Sequence, residues 1–383
     1  MKITQLYKEF FNSEKAGGLI LIICTAVSLI LANSGIAAQY LHFWHTDIAG
    51  HSLTHWINDG LMTLFFLLIG LELEREIYEG ELSNIKDALL PIFAAIGGMI
   101  FPAGLYYLLN YNYDTLSGAG IPTATDIAFA LGVLSLLGSR VPGSLKIFLT
   151  ALAVIDDLGA IIVISVFYTQ AFAASYLFLS LGVFVILLIL NRLNVKNLLV
   201  YLAGGVVMWY FMMHSGVHPT ISGVLLAFVI PFREIGKSSP SYVLQHFLHK
   251  PVAFLILPVF ALANTAIALE SGLAETLTSH YGLGISLGLI VGKPLGIFLL
   301  SWITVSVGIT KLPADVKWLS VAGVGFLGGI GFTMSIFITL LAFDSEAIIN
   351  NAKLVILLSS LVAGIIGYLI LKLSLKGRSA NEE

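Results

Sequence analysis

Of the 383 residues, 58% are hydrophobic and only 11% are charged, with a formal charge of −3 and a mean hydropathy of +0.95. A soluble domain carries about 25% charged residues, so a water-facing globular fold is excluded, and without a basic arm or patch nucleic-acid binding has no support. Cys24 is the only cysteine and sits inside an apolar block, which leaves no disulfide framework and no cysteine metal site.

In chain order, Ile3, Leu6, Tyr7, Phe10 and Phe11 recur at helical spacing among Lys and Glu. They predict a short amphipathic helix on the membrane surface, with a disordered tail as the alternative. No small-residue cleavage site follows the first apolar block, so a cleaved signal is not expected. Twelve apolar segments fall near 14–32, 54–77, 88–109, 115–137, 143–168, 175–191, 198–211, 217–230, 242–265, 282–306, 318–343 and 350–372. A spanning helix needs roughly 20 mostly apolar residues, and the period-2 alternation of a barrel is missing. The expectation is an all-α polytopic membrane protein of twelve transmembrane helices, residues 1–383 forming one transporter domain. The connection 33–53, rich in His and aromatic residues, is too polar to span and is expected to form a hairpin or amphipathic stretch.

All but two of the 19 basic residues, Lys293 and Lys353, fall on one side of this arrangement. The opposite connections carry Asp47, Asp114, Glu270, Glu275 and Asp344 instead. The positive-inside rule then puts both termini in the cytoplasm.

Segment 4 carries Gly118, Gly120 and Pro122 before Thr123-Ala-Thr-Asp126, and segment 11 carries Gly323, Gly325, Gly328, Gly329 and Gly331 before Thr333. These interruptions take comparable places in triplets 3–5 and 10–12, which run in opposite directions. Inverted repeats over about 88–168 and 282–372 follow, with a site at the two interrupted helices. Ordinary small-residue helix packing is the alternative.

Asp126, Asp156, Asp157 and Lys293 lie deep in apolar segments. Each costs about 2.5–3.5 kcal/mol at mid-bilayer, so they must face a wet cavity or one another. A structural ion-pair network is the bland reading. The neighbours Asp156 and Asp157 point about 100° apart on a helix, so both border one cavity without forming a face-to-face dyad. Their hard oxygens suit Na⁺ or Li⁺. A carboxylate out of water holds a proton or a cation, hardly both, and that competition is enough to couple their movements. Asp126 stands where the N-cap of a second half-helix belongs and would neutralise positive helix ends. Lys293 would face the negative ends or pair with Asp156, and the two roles stay open. A retinal-type Schiff base at Lys293 does not suit twelve segments and an Asp pair.

These stretches resemble the NhaA family of sodium/proton antiporters. The resemblance rests on Phe65-Phe-Leu-Leu-Ile-Gly-Leu-Glu72, Ala124-Thr-Asp-Ile-Ala-Phe-Ala-Leu-Gly-Val133 and Ile155-Asp-Asp-Leu-Gly-Ala-Ile161. Ser215-Gly-Val-His-Pro-Thr220, Gly292-Lys-Pro-Leu-Gly296 and Gly329-Ile-Gly-Phe-Thr-Met-Ser-Ile-Phe337 follow in family order. The family is itself one of the examples behind the inverted-repeat rule. The resemblance implies crossed, broken helices 4 and 11, a homodimer through the 33–53 connection, and a place in the bacterial inner membrane among its lipids. It also implies electrogenic export of Na⁺ or Li⁺ against more than one entering proton, with no cofactor and no enzymatic reaction. Asp156 and Asp157 become the cation and proton carriers, the metal ligands for Na⁺ or Li⁺, with Thr125 an accessory ligand. Asp126 and Lys293 become compensators of half-helix ends.

The resemblance further implies a pH-responsive cluster of Glu72, Arg75, Glu76, His246 and His249 at the cytoplasmic mouth, where Glu72, Arg75 and Glu76 lie one turn apart and could pair. His218, before Pro219, has either a pH-tuning role or a plain helix-terminus hydrogen bond. His42, His45, His51 and His55 lack a carboxylate or cysteine partner at ligand spacing and read as interfacial residues.

An intramembrane aspartyl protease would need facing carboxylates, which adjacent residues cannot supply. A channel would need a symmetric filter that is not visible. A sodium symporter of similar architecture would need an anion pocket, for which Lys293 is the one anchor. The cluster departs from the family pattern at Gln245, where better-known members carry Glu, and at Glu74, where a base is frequent. Because an amide does not titrate, Gln245→Glu is expected to shift the activity-versus-pH curve; an unaltered curve would argue against a role for that position.

Overall fold

The computed structural model describes residues 14–168, 173–232, 239–269 and 272–376. The surface helix expected over residues 3–11 lies outside them. What the described residues form is almost wholly helix, with apolar side chains facing both the interior and the periphery. Leu108 is 76% exposed and Phe167 73%, yet both sit within long apolar helices. Such a surface is stable against lipid tails, not against water. The chain is an all-α membrane protein.

Helix α1 covers Glu14–Ala32, and α2, Ala37–Trp44, folds back from it at 119°. The strands β1, Asp47–Ile48, and β2, His51–Ser52, pair antiparallel with Asp47 opposite Ser52. Ala49 (φ 55°) and Gly50 (φ 89°) make the two-residue turn between them, as a tight hairpin requires. The 33–53 connection is thus a helix followed by a β-hairpin.

Helix α3 runs over Leu53–Tyr78 and α4 over Ile85–Asn110. A 3₁₀ stretch, Asp114–Thr123, leads to α5, Ile127–Ser135, at a 41° bend. Then come α6, Gly143–Phe167, α7, Ala174–Arg192, α8, Leu198–Met213, and α9, Ile221–Val229. Helix α10 covers Pro240–Asn264, α11 Leu273–Thr278 and α12 His280–Ser306. Helices α13, Trp318–Gly328, and α14, Phe332–Ala342, meet at 45°, and α15, Glu346–Ser374, follows. Among the described residues seven helices are long and apolar enough to cross a membrane, or up to ten if each bent pair is one span.

Among the described residues three helices contain a π-helical turn: Ile57–Leu61 in α3, Val252–Ile256 in α10 and Gly288–Gly292 in α12. Such turns recur at functional sites because they redirect side chains, and the third immediately precedes Lys293.

The glycines of segment 11 do two different jobs. Helix α13 passes through Gly323 and Gly325 unbroken; a Cβ at Gly323 would meet the Leu371 side chain at 2.6 Å, and one at Gly325 the Pro294 backbone at 3.1 Å. The break itself falls at residues 329–331.

Helices α4 and α12 touch backbone to backbone. A Cβ on Gly97 would strike the Gly296 carbonyl, and one on Gly296 would strike the Gly97 carbonyl. With lipid as solvent, close approach of this kind supplies the packing energy that water supplies elsewhere. Gly296→Val is expected to cost about 1–3 kcal/mol through overpacking, read as a lower melting temperature of the detergent-solubilised protein.

Candidate functional site

The two chain breaks bond to each other. Asp126 has extended backbone (φ −83°, ψ 96°) and caps α5, its Oδ1 accepting from Phe129 N–H at 2.9 Å. Its Oδ2 accepts from Thr333 N–H at 3.1 Å and from the Thr333 hydroxyl. The Asp126 N–H donates to Ile330 O at 2.7 Å. One buried carboxylate therefore meets the first turns of both α5 and α14, where unsatisfied N–H groups carry partial positive charge.

Lys293 does the complementary work. Its Nζ lies 2.8 Å from Asp156 Oδ2 and also donates to Thr123 O, the last residue of the 3₁₀ stretch. The two roles open in the sequence are filled together: Lys293 pairs with Asp156 and faces the carbonyl end of the first half-segment. Its stem passes Gly98 and Gly328, where an added Cβ would come within 3.7 and 3.8 Å of Cε.

Thr125 completes the cluster. Its hydroxyl lies 2.7 Å from Asp156 Oδ2 and 2.9 Å from Gly328 O. A hydroxyl has one hydrogen, so only one of these acceptors receives it at a time.

Asp157 is different. Asp156 and Asp157 are both fully buried on α6, and both oxygens of Asp157 and Oδ1 of Asp156 have no hydrogen-bond partner. An ionised carboxylate left so would cost far more than a fold can bear. Three bare oxygens call for protons or a cation. Among the described residues no group of three or more His, Cys, Asp or Glu could hold a metal ion, so a bound cation would draw on these carboxylates and neutral oxygens.

A family model described as Na+/H+ antiporter 1 matches residues 8–371. The chain belongs to this family. A protein of Flavobacterium psychrophilum named Na(+)/H(+) antiporter NhaA is 70% identical over 376 residues, covering 98% of each chain. One of the same name from Cytophaga hutchinsonii is 60% identical across 100% of this chain and 99% of its own. Another from Vibrio cholerae is 46% identical over 99% of this chain and 100% of its own. With such relatives the membrane protein is a bacterial multi-pass one.

Among the residues expected at the cytoplasmic mouth, α3 and α10 meet at Glu72 and His249. Glu72 Oε1 lies 3.7 Å from His249 Nδ1. The ion pair that Glu72 makes among the described residues is thus to α10 and not to Arg75, which is exposed. His246 is exposed, and its Nδ1 lies 3.0 Å from Tyr242 O. Gln245 is buried at 7% exposure, one turn from Ser241, whose hydroxyl donates to buried Glu74 at 3.1 Å. His218 sits far from all of them. Its partner is Asp59, at 3.7 Å, which is 13 residues before Glu72 on α3, or about 20 Å along the axis.

Asp59 and Lys353 are buried or nearly so and were not singled out from the sequence as site residues. Lys353 had a signal, since it broke the one-sided distribution of basic residues. Asp59 stands in Ile57-Asn-Asp-Gly-Leu61, which becomes the π-turn; its polar doublet opens an otherwise apolar segment.

Removing Lys293 would strand Asp156 and the Thr123 carbonyl in a dry interior. Lys293→Ala is expected to cost about 3–5 kcal/mol, measured as a large drop in melting temperature.

Proposed function

We propose that this member of the antiporter family exports Na⁺ or Li⁺ from the cytoplasm in exchange for external protons, with net movement of charge. The observation that carries the reading is the set of three partnerless carboxylate oxygens on Asp156 and Asp157, fully buried on one helix. Protons and an alkali cation compete for them, and Thr125 gives a further oxygen. A sodium ion, or more than one proton, relieves the unanswered negative charge, so the loaded forms can be exposed to either side. The proton-loaded form is the more positive of the two, which is how the exchange moves net charge. An empty, doubly ionised site is held back by desolvation. That restriction turns competition into exchange.

Asp126 and Lys293 keep the crossing of the two breaks neutral, each set against helix ends of opposite sign. Export needs a driving force, and one net charge moving across 100 mV is worth about 2.3 kcal/mol. A sodium symporter carrying an organic anion would need a cationic anchor to spare, whereas Lys293 is already engaged by Asp156 and Thr123.

The membrane arrangement goes with this reading. Twelve spans result if the seven long helices, the three bent pairs, and the shorter α8 and α9 each count once. Inverted repeats over 88–168 and 282–372 are supported by the reciprocal contact of Gly97 and Gly296, the kind a local two-fold axis produces. Both termini are cytoplasmic by the distribution of basic residues, and the likeness to the antiporter family goes with the inner membrane. Two copies pair through the 33–53 hairpin, which offers exposed Phe43 and Ile48.

In everted vesicles carrying the wild-type protein, adding Na⁺ or Li⁺ should dequench a pH dye as protons leave the lumen. Asp156→Asn and Asp157→Asn, made separately, should each lower the rate by at least about 100-fold. Exchange that survives both amide substitutions would end the proposal.

A further inference from the structure

A cavity of about 650 Å³ opens between the 33–59 region, the turn before α9, α14 and the start of α15. A line of ionisable side chains runs from His51, outside the cavity, to His55, Asp59 and His218 in its wall, and exposure falls from the first to the last two. His51 is exposed, and its ring stacks on that of His55 with centroids 4.4 Å apart. His55 Nε2 lies 3.4 Å from Asp59 Oδ2, with 39% of the His55 side chain exposed. On the far side of Asp59, His218 Nε2 lies 3.7 Å from Oδ1, and both of these side chains are 13% exposed. The line ends on Phe337, fully buried against Phe66 and Phe260, whose ring meets His218 edge-on at 5.3 Å.

Neither nitrogen–oxygen separation is a hydrogen-bond length. His55 Nε2 is a buried atom without any hydrogen-bond partner, while His218 Nδ1 is held at 2.7 Å from Thr220 Oγ1. Two imidazoles thus flank one carboxylate, close enough to share a proton after a small movement and not locked to it. The π-turn Ile57–Leu61 supplies the placement, putting Asp59 one turn after His55 and opposite His218. Imidazole is the side chain that exchanges protons across the physiological range, accepting on one nitrogen and releasing from the other.

The other titratable groups bordering the cavity are His45, Tyr168, Glu346 and Lys353. Lys353 and Glu346 both belong to α15, two turns apart. Helix α14 offers only apolar groups there, Phe337, Leu340 and Leu341. Phe337 stands one turn after Thr333, the residue that donates to Asp126. The line of bases therefore leads from the surface to the half-helix that borders the crossing of the breaks.

We propose that His55, Asp59 and His218 form the uptake site for external protons, a relay that feeds the exchange at the buried aspartates. The proposal rests on the antiport reading and on the outward placement of the 33–53 connection. A merely structural histidine–aspartate cluster would stabilise this end of α3 without affecting how transport depends on protons outside.

Right-side-out vesicles loaded with radiolabelled Na⁺ test the relay, with efflux followed as external pH is varied at fixed internal pH. In the wild type, efflux should accelerate as the outside is acidified. His55→Gln and Asp59→Asn should each require about tenfold more external protons for half-maximal efflux. The internal Na⁺ needed for half-maximal efflux should not change. External pH curves that coincide with wild type in both variants would overturn the relay, and so would an equal shift in the internal Na⁺ requirement. Asp59→Glu, which keeps the carboxylate, should restore most of the response. Wild-type efflux indifferent to external pH would overturn the antiport reading itself, and the relay with it.

Discussion

The structure depends on how a carboxylate is kept out of water. Four ionisable side chains at the crossing of the breaks are buried, and three of them are answered: Asp126 by two helix N-termini, Asp156 by Lys293, and Lys293 by Asp156 and a carbonyl. The fourth, Asp157, has no hydrogen-bond partner on either oxygen. A buried ion pair gives little net stability by itself, because desolvation offsets most of its Coulomb energy. What the pairing secures is position. It fixes all charges but one, and leaves the Asp157 carboxylate, on the same helix as Asp156, without a hydrogen-bond partner.

The packing serves the same end. Helix α12 can bring Lys293 to Asp156 only because glycines let it lie directly on α4. Gly97 and Gly296 remove the side chains that would hold the helices apart, and Gly98 and Gly328 clear the lane that the lysine stem occupies. In lipid, where no hydrophobic effect draws helices together, close backbone contact holds this geometry.

Much of this was legible in the sequence, for physical reasons. Charges within apolar segments are so costly that Asp126, Asp156, Asp157 and Lys293 identify themselves. The break after Pro122 and the capping position of Asp126 follow from proline and N-cap chemistry. Other features were hidden. Glycine marks a break and a close contact equally well, so the smooth passage of α13 through Gly323 and Gly325 could not be read in advance. Lys293 was left with two roles because a side chain's second bond depends on a carbonyl supplied 170 residues away. Partners far along the chain were hidden too: His218 faces Asp59 and Glu72 faces His249.

The π-turn at Gly288–Gly292 sets the orientation of everything after it. An α-turn advances the helix by 100° per residue, so a wider turn amounts to one extra residue accommodated without breaking the helix. Were these same residues wound as a plain α-helix, the ammonium of Lys293 would swing by about 100° to another face of α12 while the helix itself stayed intact. The face that α12 turns toward Asp156 is thus set by the winding of one turn, separately from the place of the helix in the bundle.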